Sequence, residues 1–273
     1  MAKITAIDIV NMKKKGETIT MLTAYDYVLS SILDEAGTDI LLVGDTMGMV
    51  VYGHSTTLPV TLEESIRHTQ AVARGAKSSM VVCDMPFGTF QVSREESIKN
   101  AIKLVKVGQA EAVKLEGGIE RLESIKGILD AGIPVMGHLG LTPQSYHKFG
   151  GFKVQGRTEE EANFLIEEAK ALEEVGIFSL VLEAIPWEVS KQITESVSIP
   201  TIGIGAGPHC DGQVLVTYDM LGYFDFKARF VKRYVNLKEQ ILNAIGKYNQ
   251  EVRTGKFPDL SYSYEKPNCK KKK

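Results

Sequence analysis

Four apolar runs of this chain end on a carboxylate: Ile40-Leu-Leu-Val-Gly-Asp45, Met80-Val-Val-Cys-Asp84, Ala112-Val-Lys-Leu-Glu116 and Phe178-Ser-Leu-Val-Leu-Glu183. A fifth, Ile133-Pro-Val-Met-Gly-His138, ends on a histidine. As parallel strands of one α/β barrel, these runs would bring their C-terminal ends to a single face, where such folds carry their chemistry. Asp45, Asp84 and Glu116 then offer only oxygen ligands, which suits Mg2+, an ion that keeps several waters and borrows substrate oxygens. A 2-oxo acid fits such a site: its carboxylate and ketone oxygens can chelate one metal, which withdraws charge as an enolate forms.

Glu183 is the carboxylate left over, and it is the natural base. At the end of a Leu-Val-Leu run it sits in a low-dielectric setting that raises its pKa toward neutrality. Side chains alternate along a strand, so Lys114 and Glu116 point into the barrel while Val113 and Leu115 face the helices. Charges placed there are costly unless partnered or bound to a metal. Each residue also has a plain structural reading. The carboxylates could be N-caps of the following helices, Lys114 and Glu116 could simply neutralise each other, and Glu183 could be a salt-bridged rim residue. His138 either orients a substrate oxygen or caps a helix. Three carboxylates at equivalent strand ends favour the functional reading. His54, His68, His147 and His209 fall in loop or helix patterns and read as surface or structural residues.

The elements that must position these groups follow from periodicity. Short β-branched runs alternate with longer helical patterns, the signature of repeated βα units and a parallel sheet. Eight strands are predicted, at residues 18–23, 40–44, 80–84, 112–116, 134–138, 179–183, 200–203 and 214–217. A helix over 25–36 places Val28, Leu29, Ile32 and Leu33 on an apolar face and stops at Gly37. Thr61 with Glu64, Ser93 with Glu96 and Thr158 with Glu161 each have capping-box spacing ahead of an apolar-periodic segment. An extra helix over about 5–15 precedes the first strand, where it would close the bottom of the barrel. The loops 45–59 and 138–157 are long, glycine-rich and follow strand ends, as lids and binding loops do.

Composition narrows the class without naming the reaction. The chain has 273 residues, 44% of them hydrophobic and 24% charged, enough for a full core within a single barrel domain spanning 1–273. With 32 basic against 34 acidic residues the net charge is -2, which gives no bulk attraction to nucleic acid or anionic membrane. Cys83, Cys210 and Cys269 lack paired or CxxC spacing, so a reducing cytoplasm is the default setting. The apolar stretch at residues 1–10 is short and broken by Asp8, unlike a secretory signal, and no run is long enough to span a bilayer. The basic tail over about 258–273 reads as solvated. Ile202-Gly-Ile-Gly-Ala-Gly207 invites a phosphate-site reading after the seventh strand, but it lacks the Lys and Ser/Thr of a P-loop, and close backbone packing explains it equally well.

Together with Leu58-Pro-Val-Thr61, His68-Thr-Gln-Ala-Val-Ala-Arg74, Gly151-Phe-Lys-Val-Gln-Gly156 and the Gly-rich run, four site-bearing segments carry a resemblance. They are Gly44-Asp-Thr-Met-Gly-Met49, Asp84-Met-Pro-Phe-Gly88, Val113-Lys-Leu-Glu-Gly-Gly118 and Pro134-Val-Met-Gly-His-Leu-Gly-Leu-Thr-Pro-Gln144. Across residues 20–237 the chain resembles the ketopantoate hydroxymethyltransferase family. The resemblance implies a (β/α)8 TIM barrel of the phosphoenolpyruvate/pyruvate type, Mg2+ dependence, and a homo-oligomer, often a decamer. It also implies a reaction of pantothenate synthesis, in which a one-carbon unit from 5,10-methylenetetrahydrofolate is added to 3-methyl-2-oxobutanoate to give 2-dehydropantoate. Carried over residue by residue, Asp45 and Asp84 bind metal and substrate, Glu116 completes the metal site, Lys114 holds the oxo acid and Glu183 accepts the proton. The family usually has serine where this chain has Thr46; the hydroxyl is kept for substrate contact, with an added methyl in the pocket. Two rival readings are a Schiff-base aldolase using Lys114 and a non-catalytic oxo-acid or folate-binding barrel.

Overall fold

Strand side chains that alternate between two apolar environments decide the architecture. Ile19, Met21, Ile40, Leu42, Met80, Val82, Ala112, Met136, Val181, Ile202 and Val214 form one buried cluster. Their neighbours Leu41, Val43, Val81, Cys83, Val113, Leu115, Val135, Leu180 and Leu182 belong to a second, shared with helix residues such as Leu33, Val72, Leu104, Ile128, Leu172 and Ile193. A strand buried on both faces in this way is the mark of a parallel sheet covered by helices. The first cluster fills the barrel and the second seals the helices onto it.

The computed structural model describes residues 2–225 and 228–265. They fall into two compact units, one over residues 2–217 and 228–231 and the other over 218–225 and 232–265. In the first, α1 (Ala6–Lys15) precedes β1 (Ile19–Thr23), α2 (Tyr27–Glu35), β2 (Ile40–Val43), a short α3 (Met47–Val50), α4 (Leu62–Gly75) and β3 (Met80–Asp84). Then come α5 (Arg94–Lys106), β4 (Ala112–Lys114), α6 (Leu122–Asp130), β5 (Val135–Gly140), a short α7 (Tyr146–Phe149) and α8 (Glu159–Val175). β6 (Ser179–Glu183), α9 (Trp187–Ser196), β7 (Thr201–Ile204) and β8 (Gly212–Leu215) follow; a short α10 (Thr217–Met220) begins in the first unit at Thr217 and otherwise belongs to the second. The eight strands pair in chain order, all parallel, and β1 meets β8 with Ile19 opposite Gly212, so the sheet closes into a barrel. In the second unit α11 (Leu237–Arg253) has no fully buried residue, and Phe257 packs its ring against Tyr248 and Tyr262.

Several expected boundaries shift. The fifth strand runs two residues past His138, placing that residue within β5. The eighth begins at Gly212 and ends at Leu215, so Thr217 opens α10 instead. On α2 only part of the expected apolar face is covered: Leu33 is buried, Leu29 packs against the core, and Val28 and Ile32 stay exposed. The contact face is set instead by Ser30, whose hydroxyl donates to Val72 O at 2.7 Å where α2 crosses α4. The capping boxes at Thr61 and Thr158 are complete. At Ser93 only the hydroxyl accepts, from Glu96 N, because the Glu96 carboxylate turns to Lys99 at 3.3 Å.

At the N-terminal end of the barrel α1 inserts Ile9, fully buried, into the interior cluster. Lys13 fixes it there, donating to the carbonyls of Thr194, Val197 and Ile199 and pairing with Asp211 at 3.0 Å. Cys83 and Cys210 are free thiols; Cys269 and the lysines of 270–273 lie outside the described residues.

Candidate active site

Asp45 follows β2, Asp84 ends β3, Lys114 ends β4 with Glu116 two residues on, His138 lies in β5 and Glu183 ends β6. All six line one cavity of about 50 Å3 in the mouth of the barrel, together with Thr46 and Pro143. None of them caps a helix: the caps belong to Thr5, Asp26, Thr61, Ser93 and Thr158. The N-cap reading of the carboxylates, and of His138, therefore falls away.

Lys114 does not neutralise Glu116. Its ammonium sits 2.6 Å from Oδ1 of Asp84, an ion pair that leaves this oxygen without an aligned hydrogen-bond donor. The other Asp84 oxygen accepts from the backbone N–H of Asp45 at 3.1 Å. Gly44 makes that approach possible, because a Cβ there would stand 2.9 Å from Thr46 Oγ1 and 3.4 Å from Asp84 Oδ2. Thr46 turns its hydroxyl to Tyr25 OH at 2.8 Å, and Tyr25 is itself buried.

Three buried carboxylates against one ammonium leave an excess of negative charge. Burial, and then the Asp84 charge, push Asp45 up to about 7 against the pull of Lys114 and Gln144. Glu116 rises well above the usual carboxylate range, through burial first and Asp45 next. Burial alone would draw Lys114 down, but Asp84, Glu116 and Asp45 outweigh it and hold the ammonium above its ordinary value.

His138 is neutral, since burial and the Lys114 charge hold it well below its usual pKa. Lys114 Nζ lies 3.3 Å from His138 Nδ1, and an ammonium can only donate. Nδ1 is therefore the acceptor, and the ring carries its proton on Nε2. Nε2 faces Glu183 Oε2 at 3.2 Å without an aligned hydrogen bond. Among the described residues Glu183 forms no ion pair with a lysine or arginine. Burial pushes its carboxyl up to about 8, with Lys114 opposing.

The donor set fits a hard divalent cation. Asp84 Oδ1 is already paired with the Lys114 ammonium, but the raised Asp45 and Glu116 mark a deficit of positive charge that a cation would relieve. Among the described residues no three acidic, histidine or cysteine side chains stand close enough to enclose an ion by themselves. An ion held here would draw the rest of its shell from water and substrate oxygens, as Mg2+ does when it takes one or two carboxylates.

Gln144, in the loop after β5, was given no role by the spacing of strand ends. Its backbone N–H donates to Glu116 Oε2 at 2.9 Å, and its amide donates to Asp45 Oδ2 at 2.9 Å and to Met85 O at 3.0 Å. Gln91 donates in turn to the Gln144 carbonyl oxygen at 3.0 Å. Its signals in the sequence are its place in the long loop after the fifth run and its position at the end of the Pro134–Gln144 segment that carries the resemblance. The Gly-rich run after β7 is built for close packing: at Gly207 (φ +79°) a Cβ would lie 2.3 Å from Trp187 Cβ.

Residues 3–260 match the profile of ketopantoate hydroxymethyltransferase. The chain belongs to the ketopantoate hydroxymethyltransferase family. Two relatives named 3-methyl-2-oxobutanoate hydroxymethyltransferase show how close it stands to other members. That of Syntrophus aciditrophicus (strain SB) is 54% identical, over 96% of this chain and 97% of its own. That of Ignicoccus hospitalis (strain KIN4/I) is 53% identical, over 96% and 99%. As a ketopantoate hydroxymethyltransferase family member the chain is an enzyme, a transferase. Solved barrels share its fold at low identity: phosphonopyruvate hydrolase (TM-score 0.61, 11% identity, 96% of this chain and 92% of that one) and 2,3-dimethylmalate lyase, a PEP mutase/isocitrate lyase superfamily member (0.60, 13%, 97% and 90%).

Proposed function

We propose that the enzyme adds a hydroxymethyl group from 5,10-methylenetetrahydrofolate to 3-methyl-2-oxobutanoate, giving 2-dehydropantoate in pantothenate biosynthesis. The observation that carries this reading is the pairing, in one barrel mouth, of a buried Asp45/Asp84/Lys114/Glu116 cluster with a separate, uncharged-pair base at Glu183. Asp45 and Asp84 would hold Mg2+, with Glu116 completing the site through the ion's water shell; when bound, the ion supplies Lewis acidity to the ketone oxygen. Lys114, kept charged by Asp84, binds the carboxylate of the oxo acid, and Thr46, steadied by Tyr25, adds a hydroxyl contact.

Glu183 takes the C3 proton. Its raised pKa makes it a stronger base once ionised, and the Nε2 proton of His138 is in place to orient the carboxylate. The methylene carbon bridges two folate nitrogens: the enolate carbon attacks it as one C–N bond breaks, water then displaces the second nitrogen and leaves its oxygen as the hydroxyl, and the two nitrogens take up the C3 proton and a proton of that water. Leu42, Val181, Ile204 and Val214 line the same mouth and keep the surroundings of the base apolar.

The free thiols suit a reducing, cytoplasmic setting. No helix among the described residues is long and apolar enough to cross a membrane. We read the enzyme as a homo-oligomer, decameric as in the family; exposed Ile241, Ile245, Tyr248 and Val252 on α11 are in keeping with this. Incubation with oxo acid, methylenetetrahydrofolate and Mg2+ tests the reaction. Formation of 2-dehydropantoate supports it, and consumption of neither substrate refutes it.

A further inference from the structure

A second cavity, of about 360 Å3, lies beside the first, between the loop after β4, the loop after β5 and α8. Its volume is in the range that ligand sites occupy. The wall between the two is one chain thick: Glu116 and Pro143 line the barrel mouth, and their chain neighbours Gly117 and Thr142 line the second cavity.

Glu168 is the group in this cavity that packing does not explain. It is 6% exposed, on a helix whose other buried residues are Leu165, Ala169 and Leu172. It accepts a hydrogen bond from Ile119 N but forms no salt bridge among the described residues. Burial, and then the Glu120 charge, push it up to about 7. Gly118 gives way to it completely, since a Cβ there would lie 1.9 Å from Glu168 Oε1. A buried carboxylate retained at this cost, with the opposite backbone cleared for it, calls for a ligand that brings hydrogen-bond donors.

The surroundings narrow the ligand. Phe149 and Phe164 line the cavity, and Phe164 is 52% exposed, so flat apolar surface is available for a ring. Lys148 also lines the cavity and opposes the rise at Glu168 without forming a salt bridge to it; beside Glu168 itself, the Glu120 charge disfavours a phosphate or carboxylate at this end. A planar heterocycle with two adjacent N–H donors satisfies both conditions, because a carboxylate accepts such a pair as a fork. The 2-aminopyrimidin-4-one edge is such a group.

We propose that this cavity receives the aminopyrimidinone ring of the tetrahydrofolate cosubstrate, with Glu168 accepting its paired N–H donors. The inference rests on the folate-dependent reaction proposed above, and it adds the residues that hold the ring against the shared wall. Guanine presents the same edge, so a guanine nucleotide is the alternative source of this chemistry.

The test compares wild-type enzyme with Glu168→Ala and Gly118→Ala, using two assays with Mg2+ present. The first is exchange of the C3 proton of the oxo acid in heavy water without folate; the second is the KM for methylenetetrahydrofolate. In both variants exchange should be unchanged while the folate KM rises at least about ten-fold, the loss expected for hydrogen bonds to a charged group. Tetrahydropterin without the benzoylglutamate tail should compete with folate in wild type and lose that effect in Glu168→Ala. An unchanged folate KM overturns the inference, as does loss of exchange alongside folate binding, which would make Glu168 a support of the oxo-acid site. Competition by guanosine but not tetrahydropterin also overturns it. If wild-type enzyme neither exchanges nor transfers, the failure lies with the proposed reaction itself.

Discussion

Nε2 of His138 lies 3.2 Å from Oε2 of Glu183, while its Nδ1 faces the Lys114 ammonium at 3.3 Å. The ring thus stands between the Lys114 ammonium, the proposed substrate anchor, and Glu183, the proposed base, with its proton on the side of Glu183. Replacing Glu183 by Gln keeps the shape and removes the base. C3 exchange should fall about 10²- to 10⁴-fold, the usual contribution of a positioned general base, with oxo-acid binding retained in a calorimetric titration. Exchange at the wild-type rate would show that another group takes the proton.

The raised pKa of Glu183 has a sign that can be checked in two ways. As a base it works ionised, so the exchange rate should climb with pH and level off above about 8. In stability the folded state holds a proton that the unfolded state has released between the ordinary glutamate value of 4.5 and about 8. Stability from this group is therefore full below that window and lost as pH rises through it. Glu183→Gln lacks the decline, so its advantage over wild type in urea unfolding should grow from pH 5 to pH 8. A constant difference would contradict the assignment of the shift to this residue.

Lys114 is held protonated by Asp84, Glu116 and Asp45, which leaves little free amine to condense with a ketone. Borohydride added with the oxo acid should leave the mass of the protein unchanged, whereas a reduced adduct on Lys114 would support the Schiff-base alternative. Lys114→Ala leaves the carboxylates facing one another and should cost about 3–5 kcal/mol in the absence of divalent metal, a loss that added Mg2+ partly offsets. Urea titrations with Mg2+ and with EDTA measure both.

Gln144 ties Asp45 to Glu116 through two 2.9 Å hydrogen bonds. Removing its amide in Gln144→Ala frees the Asp45 carboxylate to swing. Outer contacts of this kind typically change metal affinity 10- to 100-fold, so the Mg2+ concentration for half-maximal exchange should rise by about that factor. An unaltered Mg2+ dependence would limit Gln144 to holding its loop.

Far from the mouth, Ile9 plugs the barrel floor with its side chain fully buried. Ile9→Ala should destabilise the protein by about 2–5 kcal/mol, as large-to-small changes in cores do, while leaving the oxo-acid KM in place. A raised KM would mean that the floor is coupled to the mouth.

What was legible in the residues was what strand geometry controls. Alternation put Lys114 inside the barrel and Val113 outside, because a pleated strand offers no other choice; β4 stops at Lys114, short of the expected 116, and Leu115 and Glu116 keep the same alternation beyond its end. Apolar runs ending on carboxylates located Asp45, Asp84 and Glu183 for the same reason. Gln144 and the Tyr25–Thr46 contact were missed because they depend on how loops fold back across the mouth, where no period constrains the chain. On α2, Val28 and Ile32 carried the right spacing, but the close crossing at Ser30 turned that face outward. Glu168 was passed over although its spacing puts it on the face of Leu165, Ala169 and Leu172; the missing Cβ of Gly118 that makes room for it lies in a distant part of the chain.

The central claim is that this barrel mouth makes an enolate of its oxo acid by removing the C3 proton. The most direct measurement follows that proton by NMR in heavy water for 3-methyl-2-oxobutanoate with enzyme and Mg2+, with EDTA, and with methylenetetrahydrofolate added. Metal-dependent exchange, giving way to 2-dehydropantoate when folate is supplied, is the predicted result. Binding of the oxo acid with neither exchange nor product would contradict the account.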